Sequence, residues 1–191
     1  MKLEGGVVKR IVVFFVVSFV FALFIWNCSN DGSKEKSKSD SGKQKGEPQQ
    51  NSVQRDYAID FTLTGLDGVE RTLSEQKGSV VIVDFWATWC PPCRVEIPHL
   101  KKIYDTYKDK GLIVWGIGLD KEEKLSQFAQ ENSINYPVLV GNQTIAKQYN
   151  VQGIPTTFLY DKKNRIAYRH TGFAEGMEKD FEKEIVGLLQ E

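Results

Sequence analysis

A nearly unbroken apolar run, SVVIVDFW at residues 79–86, decides which fold classes are open to this chain. The run is rich in β-branched residues, a pattern typical of a strand covered on both faces in a parallel or mixed sheet. A helix is predicted directly after it, because apolar side chains recur there at spacings of four and three residues. Those side chains are Cys93, Ile97, Leu100, Tyr104 and Tyr107.

Strands and helices continue to alternate beyond this pair. Strand-like runs lie at 111–120, 136–141, 156–161 and 165–172, and helical patterns lie at 121–132, at 143–151 and near the C-terminus. The Asp67-Gly68 pair predicts an earlier hairpin. The predicted fold class is therefore α/β, with a central mixed β-sheet flanked by helices, an N-terminal β-hairpin and a helix inserted after the second core strand.

The N-terminal segment differs from this domain in its amino-acid composition. Basic residues precede an apolar run at 11–26, which predicts a signal or membrane-anchor segment over residues 1–28. Cys28 follows the run, where a bacterial lipoprotein would carry its lipidated cysteine. Lipid anchoring, an uncleaved anchor helix and a cleaved soluble form all remain open, and all three place the rest of the chain in the cell envelope, on the extracytoplasmic side of a membrane.

A polar segment separates this anchor from the globular part. Residues 29–55 are rich in Ser, Lys, Asp and Gly, and cannot bury enough apolar surface to fold, so they are predicted to form a flexible linker. Residues 56–191 then form one domain. The 25 basic residues of the chain balance 25 acidic ones, which argues against nucleic acid as a partner.

The candidate chemistry lies in the stretch ATWCPPCRVE at residues 87–96. Cys90 and Cys93 have the C-x-x-C spacing of a redox pair, of half a zinc site, or of two inert thiols. A structural zinc site needs four ligands, and neither Cys28 nor His99 and His170 have a spacing that would complete one. We therefore interpret the pair as a redox centre that uses no metal and no cofactor.

The position of the two thiols suggests their roles. Cys90 falls where the buried strand gives way to the helix, and a helix N-terminus favours the thiolate, so Cys90 is predicted to attack. Cys93 lies on the apolar stripe and is predicted to resolve the mixed disulfide that results. Pro91 and Pro92 stiffen the first turn, but they also remove amide donors that could stabilise the thiolate.

Two carboxyl groups are candidates for moving the proton of Cys93. Asp84 interrupts the buried run, so burial should raise its pKa, and Glu96 follows Cys93 by three residues on nearly the same helix face. Either group fits a general acid or base. The alternatives are a buried acid in a structural pair for Asp84 and a solvated surface charge for Glu96.

The motifs VDFWATWCPPC and GIPTTFLYD, with Pro98 five residues after the second cysteine, resemble the thioredoxin superfamily. More narrowly, residues 56–190 resemble the membrane-anchored thiol-disulfide oxidoreductases of the TlpA and ResA type, with a redoxin or AhpC-TSA-like domain and the additional helix at 121–132. The resemblance implies a thioredoxin-like fold and protein-disulfide reductase activity, with cytochrome c maturation as one candidate role.

The resemblance also implies site residues and partners. The bond between Ile154 and Pro155 would be cis, with the Ile154 backbone pairing with substrate, while Trp89 shields the site. Glu96 matches an acidic residue of relatives devoted to cytochrome maturation, and Asp84 matches the buried acid of thioredoxins. The implied partners are exported protein disulfides, with apocytochrome c as a candidate, and a membrane electron donor that reduces the protein again. The protein itself would be a membrane-tethered monomer.

Two rival functions belong to other classes. A thiol peroxidase is one, because peroxiredoxins share the DFTL opening found at residues 60–63. The other is a tethered thioredoxin-like binding module without catalysis, in which serine at Cys90 and Cys93 would leave function intact.

Overall fold

The computed structural model describes residues 55–191. The predicted anchor at 1–28 with its lipidation candidate Cys28, and all but the last residue of the predicted linker, lie outside the described residues. Between residues 55 and 191, no helix combines the length and the apolar character needed to cross a membrane.

Seven strands and four α-helices make up the described part of the chain, together with 3₁₀ turns at Leu73–Gln76 and Lys108–Lys110. In chain order they are β1 (Thr62–Thr64), β2 (Glu70–Thr72), β3 (Val80–Trp86), α1 (Pro91–Tyr107), β4 (Leu112–Gly118), α2 (Glu122–Glu131), β5 (Val138–Val140), α3 (Gln143–Gln148), β6 (Thr156–Tyr160), β7 (Ile166–Thr171) and α4 (Met177–Gln190).

Five of the strands form one mixed sheet in the order β5-β4-β3-β6-β7. Strands β3, β4 and β5 run parallel, while β6 lies antiparallel to β3 and β7 antiparallel to β6. Strands β1 and β2 form a separate hairpin, which touches the sheet through a bridge between Gly65 and Leu139. The predicted α/β class, the N-terminal hairpin and the helix after the second core strand are confirmed.

Strand β3 is buried on both faces because alternate side chains enter different cores. Val81, Val83 and Phe85 join one cluster, which α3 covers. Val80 and Ile82 join the cluster filled by α1 and α4. Asp84 belongs by alternation to the face of Val80 and Ile82, so its carboxyl lies under α1.

Candidate active site

The two cysteines of the C-x-x-C motif form a disulfide at the start of α1. Cys90 is the N-cap residue with extended backbone, Pro91 takes the first helical position, and the Cys93 N–H donates to the Cys90 sulfur at 3.3 Å. Because Pro91 and Pro92 have no N–H, Cys93 is the first residue of α1 that can offer an amide to this sulfur. The predicted placement of Cys90 at a helix N-terminus is confirmed.

The disulfide is almost covered by its surroundings. Cys90 is 2% exposed and Cys93 fully buried, whereas the neighbouring Trp89 is 67% exposed. The Ile154 carbonyl oxygen lies 3.6 Å from the Cys90 sulfur, and the bond between Ile154 and Pro155 is cis. The structure thus brings together the cysteines and the Ile154-Pro155 pair, which the sequence separates by more than sixty residues.

The loop before Cys90 is tied to the surrounding elements. The Thr88 N–H donates to Asp120 at 2.6 Å, and Arg94 donates through Nε to the Thr88 carbonyl at 2.9 Å. The Arg94 guanidinium also lies over the Phe128 ring, 5.3 Å from its centre. These contacts fix the approach to Cys90 against α1 and α2.

The two predicted carboxyls meet on the inner side of α1. Asp84 and Glu96 are both fully buried. The Thr157 hydroxyl lies 2.8 Å from Glu96 Oε1, to which it donates, and 3.5 Å from Asp84 Oδ1. Burial of Glu96 rules out the solvated surface charge considered from its sequence position. Within residues 55–191, no Lys, Arg or His forms an ion pair with either carboxyl, so Asp84 is not part of a structural ion pair there.

Thr157 was not among the residues predicted from sequence. It stands directly opposite Asp84 in the antiparallel ladder between β3 and β6. Sequence patterns give the existence of both strands but not their register, and the register is what brings this hydroxyl between the carboxyls. The sequence feature that could have pointed to Thr157 is its position two residues after Pro155.

Burial sets the protonation of the carboxyl pair. It raises the pKa of Asp84 well above its ordinary value, and the nearby Glu96 raises it further, against the lowering effect of the Thr157 hydroxyl. Burial raises the pKa of Glu96 from 4.5 to about 7, again against the hydrogen bond from Thr157. At neutral pH the pair therefore holds a proton that it can exchange.

We expect Glu96→Gln to remove part of the pH dependence of stability of the disulfide-bonded protein. The folded-state pKa of Glu96 lies above the unfolded value, so the folded protein binds more protons between about pH 4.5 and 7, and its stability falls as pH rises through that range. The glutamine side chain of the variant cannot ionise. The variant should match the parent below pH 4.5 and exceed it above pH 7 by up to about 3 kcal/mol in urea unfolding.

Glu75→Gln is the matched control, because Glu75 is exposed on the 3₁₀ turn after β2. It should leave the pH dependence as in the parent protein. Equal pH profiles for Glu96→Gln and the parent would contradict the raised pKa of Glu96.

The histidines contact aromatic and acidic side chains away from the disulfide. The His99 ring packs against Phe173 with 5.4 Å between ring centres. The His170 ring packs against Phe181, and its Nε2 lies 2.8 Å from Glu184.

Comparison with known proteins gives consistent matches over this domain. A model of the AhpC/TSA family matches residues 55–169. Thiol-disulfide oxidoreductase ResA of Geobacillus kaustophilus is 38% identical over 118 residues, which cover 60% of this chain and 67% of the relative. Thioredoxin-like protein YneN of Bacillus subtilis is 38% identical over 119 residues, covering 60% of this chain and 69% of the relative.

A solved structure shares the arrangement of strands and helices. It is the crystal structure of a Chlorobium tepidum protein described as a DsbE-type thiol:disulfide interchange protein. It superimposes with a TM-score of 0.68 at 34% identity, covering 71% of this chain and 96% of the other.

Proposed function

Since the chain belongs to the AhpC/TSA family and is a thiol-disulfide oxidoreductase with a thioredoxin-like fold, we propose that it reduces disulfides of exported proteins on the extracytoplasmic side of a membrane. The observation that carries this proposal is the disulfide between Cys90, at a helix N-terminus, and Cys93, which is fully buried one turn into the same helix. We propose reduction rather than oxidation because few N–H groups are available to stabilise the Cys90 thiolate.

The reaction is two successive exchanges. The Cys90 thiolate attacks one sulfur of a substrate disulfide, which breaks the substrate S–S bond, forms a mixed disulfide and releases the other substrate sulfur as a thiolate. Cys93 then loses its proton and attacks Cys90, which forms the Cys90–Cys93 bond and releases the second substrate thiolate. The substrate gains two electrons and two protons, and a dithiol donor restores the protein.

The proposed direction, reduction of the substrate, depends on weak stabilisation of the Cys90 thiolate. A pair oxidises its partners when its reduced form is strongly stabilised. Here Pro91 and Pro92 leave the Cys93 amide as the first helical donor to the Cys90 sulfur, so few N–H groups stabilise the thiolate. The reduced dithiol form is therefore less stable relative to the disulfide, which favours transfer of electrons to the substrate.

The substrate is proposed to dock across the face beside Cys90. Trp89 and Val95 are exposed apolar side chains on either side of the Cys90 position in the chain, and the Ile154 carbonyl faces the sulfur. An extended substrate segment would pair with the backbone at Ile154, next to Pro155, as an added strand. The exposed Trp89 ring, the exposed Val95 side chain and the backbone at Ile154 suit an unfolded or flexible segment rather than a small thiol.

The cellular setting is proposed from the sequence before the described domain. The signal or membrane-anchor segment at 1–28, with or without a lipid on Cys28, would tether the domain through the linker at 29–55. A membrane protein would supply electrons, and the protein would act as a monomer. Apocytochrome c is one candidate among the exported substrates.

Trapping of mixed disulfides tests this function. Cys93→Ala stops the reaction after the first exchange, so Cys90 should remain bonded to its substrates when the full chain is expressed in its native host. We expect exported cysteine-containing proteins to be captured on Cys90 and released by a reductant, and mass spectrometry would identify them. Capture of apocytochromes alone would assign cytochrome maturation, whereas a broad set would assign general reduction.

The control for trapping is the double variant Cys90→Ser with Cys93→Ala. It keeps the fold and docking face but has no attacking thiolate, so it should capture nothing. Equal capture by both variants, or none by either, would contradict the mechanism.

A further inference from the structure

The residues between β3 and α1 form a turn that carries Trp89 to the surface. The Cys90 N–H donates to the Ala87 carbonyl at 3.1 Å, which closes a β-turn with Thr88 and Trp89 at its centre. Ala87 and Cys90, at the two ends of the turn, are buried, whereas Trp89 is exposed. The turn therefore presents the indole ring to solvent from a buried base, one residue before the attacking cysteine.

Asp120 holds one side of this turn. Strands β3 and β4 run parallel, and their hydrogen bonding continues beyond β4, where the Leu119 N–H donates to the Trp86 carbonyl at 2.9 Å. The Thr88 N–H then donates to Asp120 Oδ2 at 2.6 Å. A carboxylate side chain thus accepts a backbone N–H just past the end of the ladder, and a hydrogen bond to a charged acceptor is stronger than one between neutral groups.

Arg94 holds the other side of the turn. Its Nε donates to the Thr88 carbonyl at 2.9 Å. This carbonyl belongs to the central peptide of the turn, and the orientation of that peptide is what distinguishes type I from type II turns. Rotation of the peptide would change the φ angle of Trp89 and with it the direction of the indole ring. The hydrogen bond from Arg94 therefore fixes the direction in which the Trp89 side chain points.

The position of Arg94 is itself fixed by α2. The guanidinium lies over the Phe128 ring, 5.3 Å from its centre, and Phe128 packs against Trp86 with 5.3 Å between ring centres. A cation near the start of a helix faces the positive end of the helix dipole, and the first turn of α1 contains no acidic residue. The contacts of Arg94 with Thr88 and Phe128 therefore offset a local cost to the helix.

The two charged side chains converge on one residue. Within residues 55–191, neither Arg94 nor Asp120 forms an ion pair. One contacts the C=O of Thr88 and the other its N–H, and they come from different elements of the fold. Thr88 cannot be reoriented without breaking a charge-assisted hydrogen bond, so the turn is rigid before a substrate arrives.

We propose that Arg94 and Asp120 are positioning residues that hold the turn at residues 87–90 so that the Trp89 ring is ready to dock a peptide substrate. This inference rests on the proposed function, in which the substrate segment docks beside Trp89. Without the two hydrogen bonds the turn would have to become ordered each time a peptide binds, and that ordering weakens binding. A small disulfide that makes no contact with Trp89 escapes this cost. The two residues therefore determine the preference for peptide disulfides over small ones and leave the chemistry at Cys90 unchanged.

Asp120→Ala tests this role. The reduced full chain is mixed with increasing concentrations of a flexible peptide that carries one disulfide, and the oxidised protein is separated by chromatography. The variant should need about tenfold more peptide than the parent to reach half its maximal rate, with the maximal rate unchanged. Its rate with 2-hydroxyethyl disulfide, which has no peptide chain, should also be unchanged. Asp120→Asn keeps an oxygen that can accept the Thr88 N–H and should restore most of the affinity.

A double variant tests whether the effect passes through Trp89. Arg94→Met, which keeps the side-chain length without the donor, should weaken peptide binding as Asp120→Ala does, and so should Trp89→Ala. In the Trp89→Ala background, Asp120→Ala should add little further loss, because no ring is left to position. Glu123→Ala is the matched control, since it removes an exposed carboxylate from the first turn of α2 and should leave peptide binding as in the parent.

Three outcomes would overturn the positioning role. They are unchanged peptide affinity in Asp120→Ala and Arg94→Met, a loss that adds fully to that of Trp89→Ala, and an equal loss with 2-hydroxyethyl disulfide, since the latter two are what a merely structural role would give. The proposed function fails separately, if the parent protein does not reduce the peptide. If thermal unfolding shows that Asp120→Ala is not folded, Arg94→Met decides the question, because Arg94 is exposed on α1.

Discussion

Replacing Cys90 by serine is expected to abolish disulfide exchange, lowering the rate by about 10³-fold or more, because a hydroxyl at the N-cap of α1 does not ionise to a nucleophile at neutral pH. Cys93→Ser should behave differently. It keeps the attacking thiolate, so one substrate is bound as a stable mixed disulfide and turnover stops there. Chromatography of a disulfide-containing peptide mixed with each reduced full-length variant would measure both effects.

Cys28→Ser is the matched control for these two variants, because it removes the third cysteine without touching the C-x-x-C pair. Its exchange rate in detergent should equal that of the parent. Full exchange by Cys90→Ser would favour the binding-module alternative. Oxidation of the parent protein by hydrogen peroxide faster than that of an ordinary thiol would favour the thiol peroxidase.

The same preparation tests the direction of electron flow. If the pair stabilises its thiolate as weakly as the surroundings of Cys90 indicate, its potential lies below that of the glutathione pool, roughly −220 mV or lower. In an equilibrium mixture with glutathione the Cys90–Cys93 pair should then be mostly oxidised. A pair that stays reduced in that mixture would contradict the reductase direction.

The local features of this domain could be predicted from sequence because they are encoded in short stretches. The apolar run at 79–86 gave β3, the stripe beginning at Cys93 gave α1, and the Asp67-Gly68 turn gave the hairpin between β1 and β2. The same stretches placed Cys90 at the helix N-terminus. Each of these inferences needs only a periodicity or a turn preference within about fifteen residues.

The parts of the site that sequence could not provide depend on contacts between distant segments. Glu96 lies on the buried face of α1, but a carboxyl there does not by itself predict burial, and its hydrogen bond from Thr157, 61 residues away, is seen only in the structure. Gly116 leaves room for the buried Trp86 indole beside this strand, because a Cβ there would lie 2.8 Å from Trp86 Nε1. The cis bond before Pro155 came from the family resemblance alone, since few bonds before proline are cis.

Glu96→Gln is expected to slow the resolving attack of Cys93 by about 100-fold at pH 7, and Asp84→Asn to slow it less. The pKa of Glu96 is about 7, and Glu96 accepts the Thr157 hydrogen bond, so at neutral pH it is the member of the pair that can take a proton. Burial and the nearby Glu96 raise the pKa of Asp84, and its carboxyl lies farther from the Thr157 hydroxyl, at 3.5 Å, so we assign it the smaller part. When the reduced full chain is mixed with 5,5′-dithiobis(2-nitrobenzoate), attack by Cys90 releases one coloured thiolate, and the second release, by Cys93, measures this step. A larger loss for Asp84→Asn would reverse the assignment.

The pH dependence of the resolving attack of Cys93 distinguishes a general base from a residue that has only a packing role. In the parent protein the rate of the second release should rise with pH through the pKa of Glu96, near 7, because only the carboxylate form can accept the proton of Cys93. Thr157→Val removes the hydrogen bond that lowers this pKa and should move the profile to higher pH, while Thr157→Ser, which keeps the hydroxyl, should restore it. If Thr157→Val and Thr157→Ser both have the pH profile of the parent, the proton of Cys93 does not pass through Glu96.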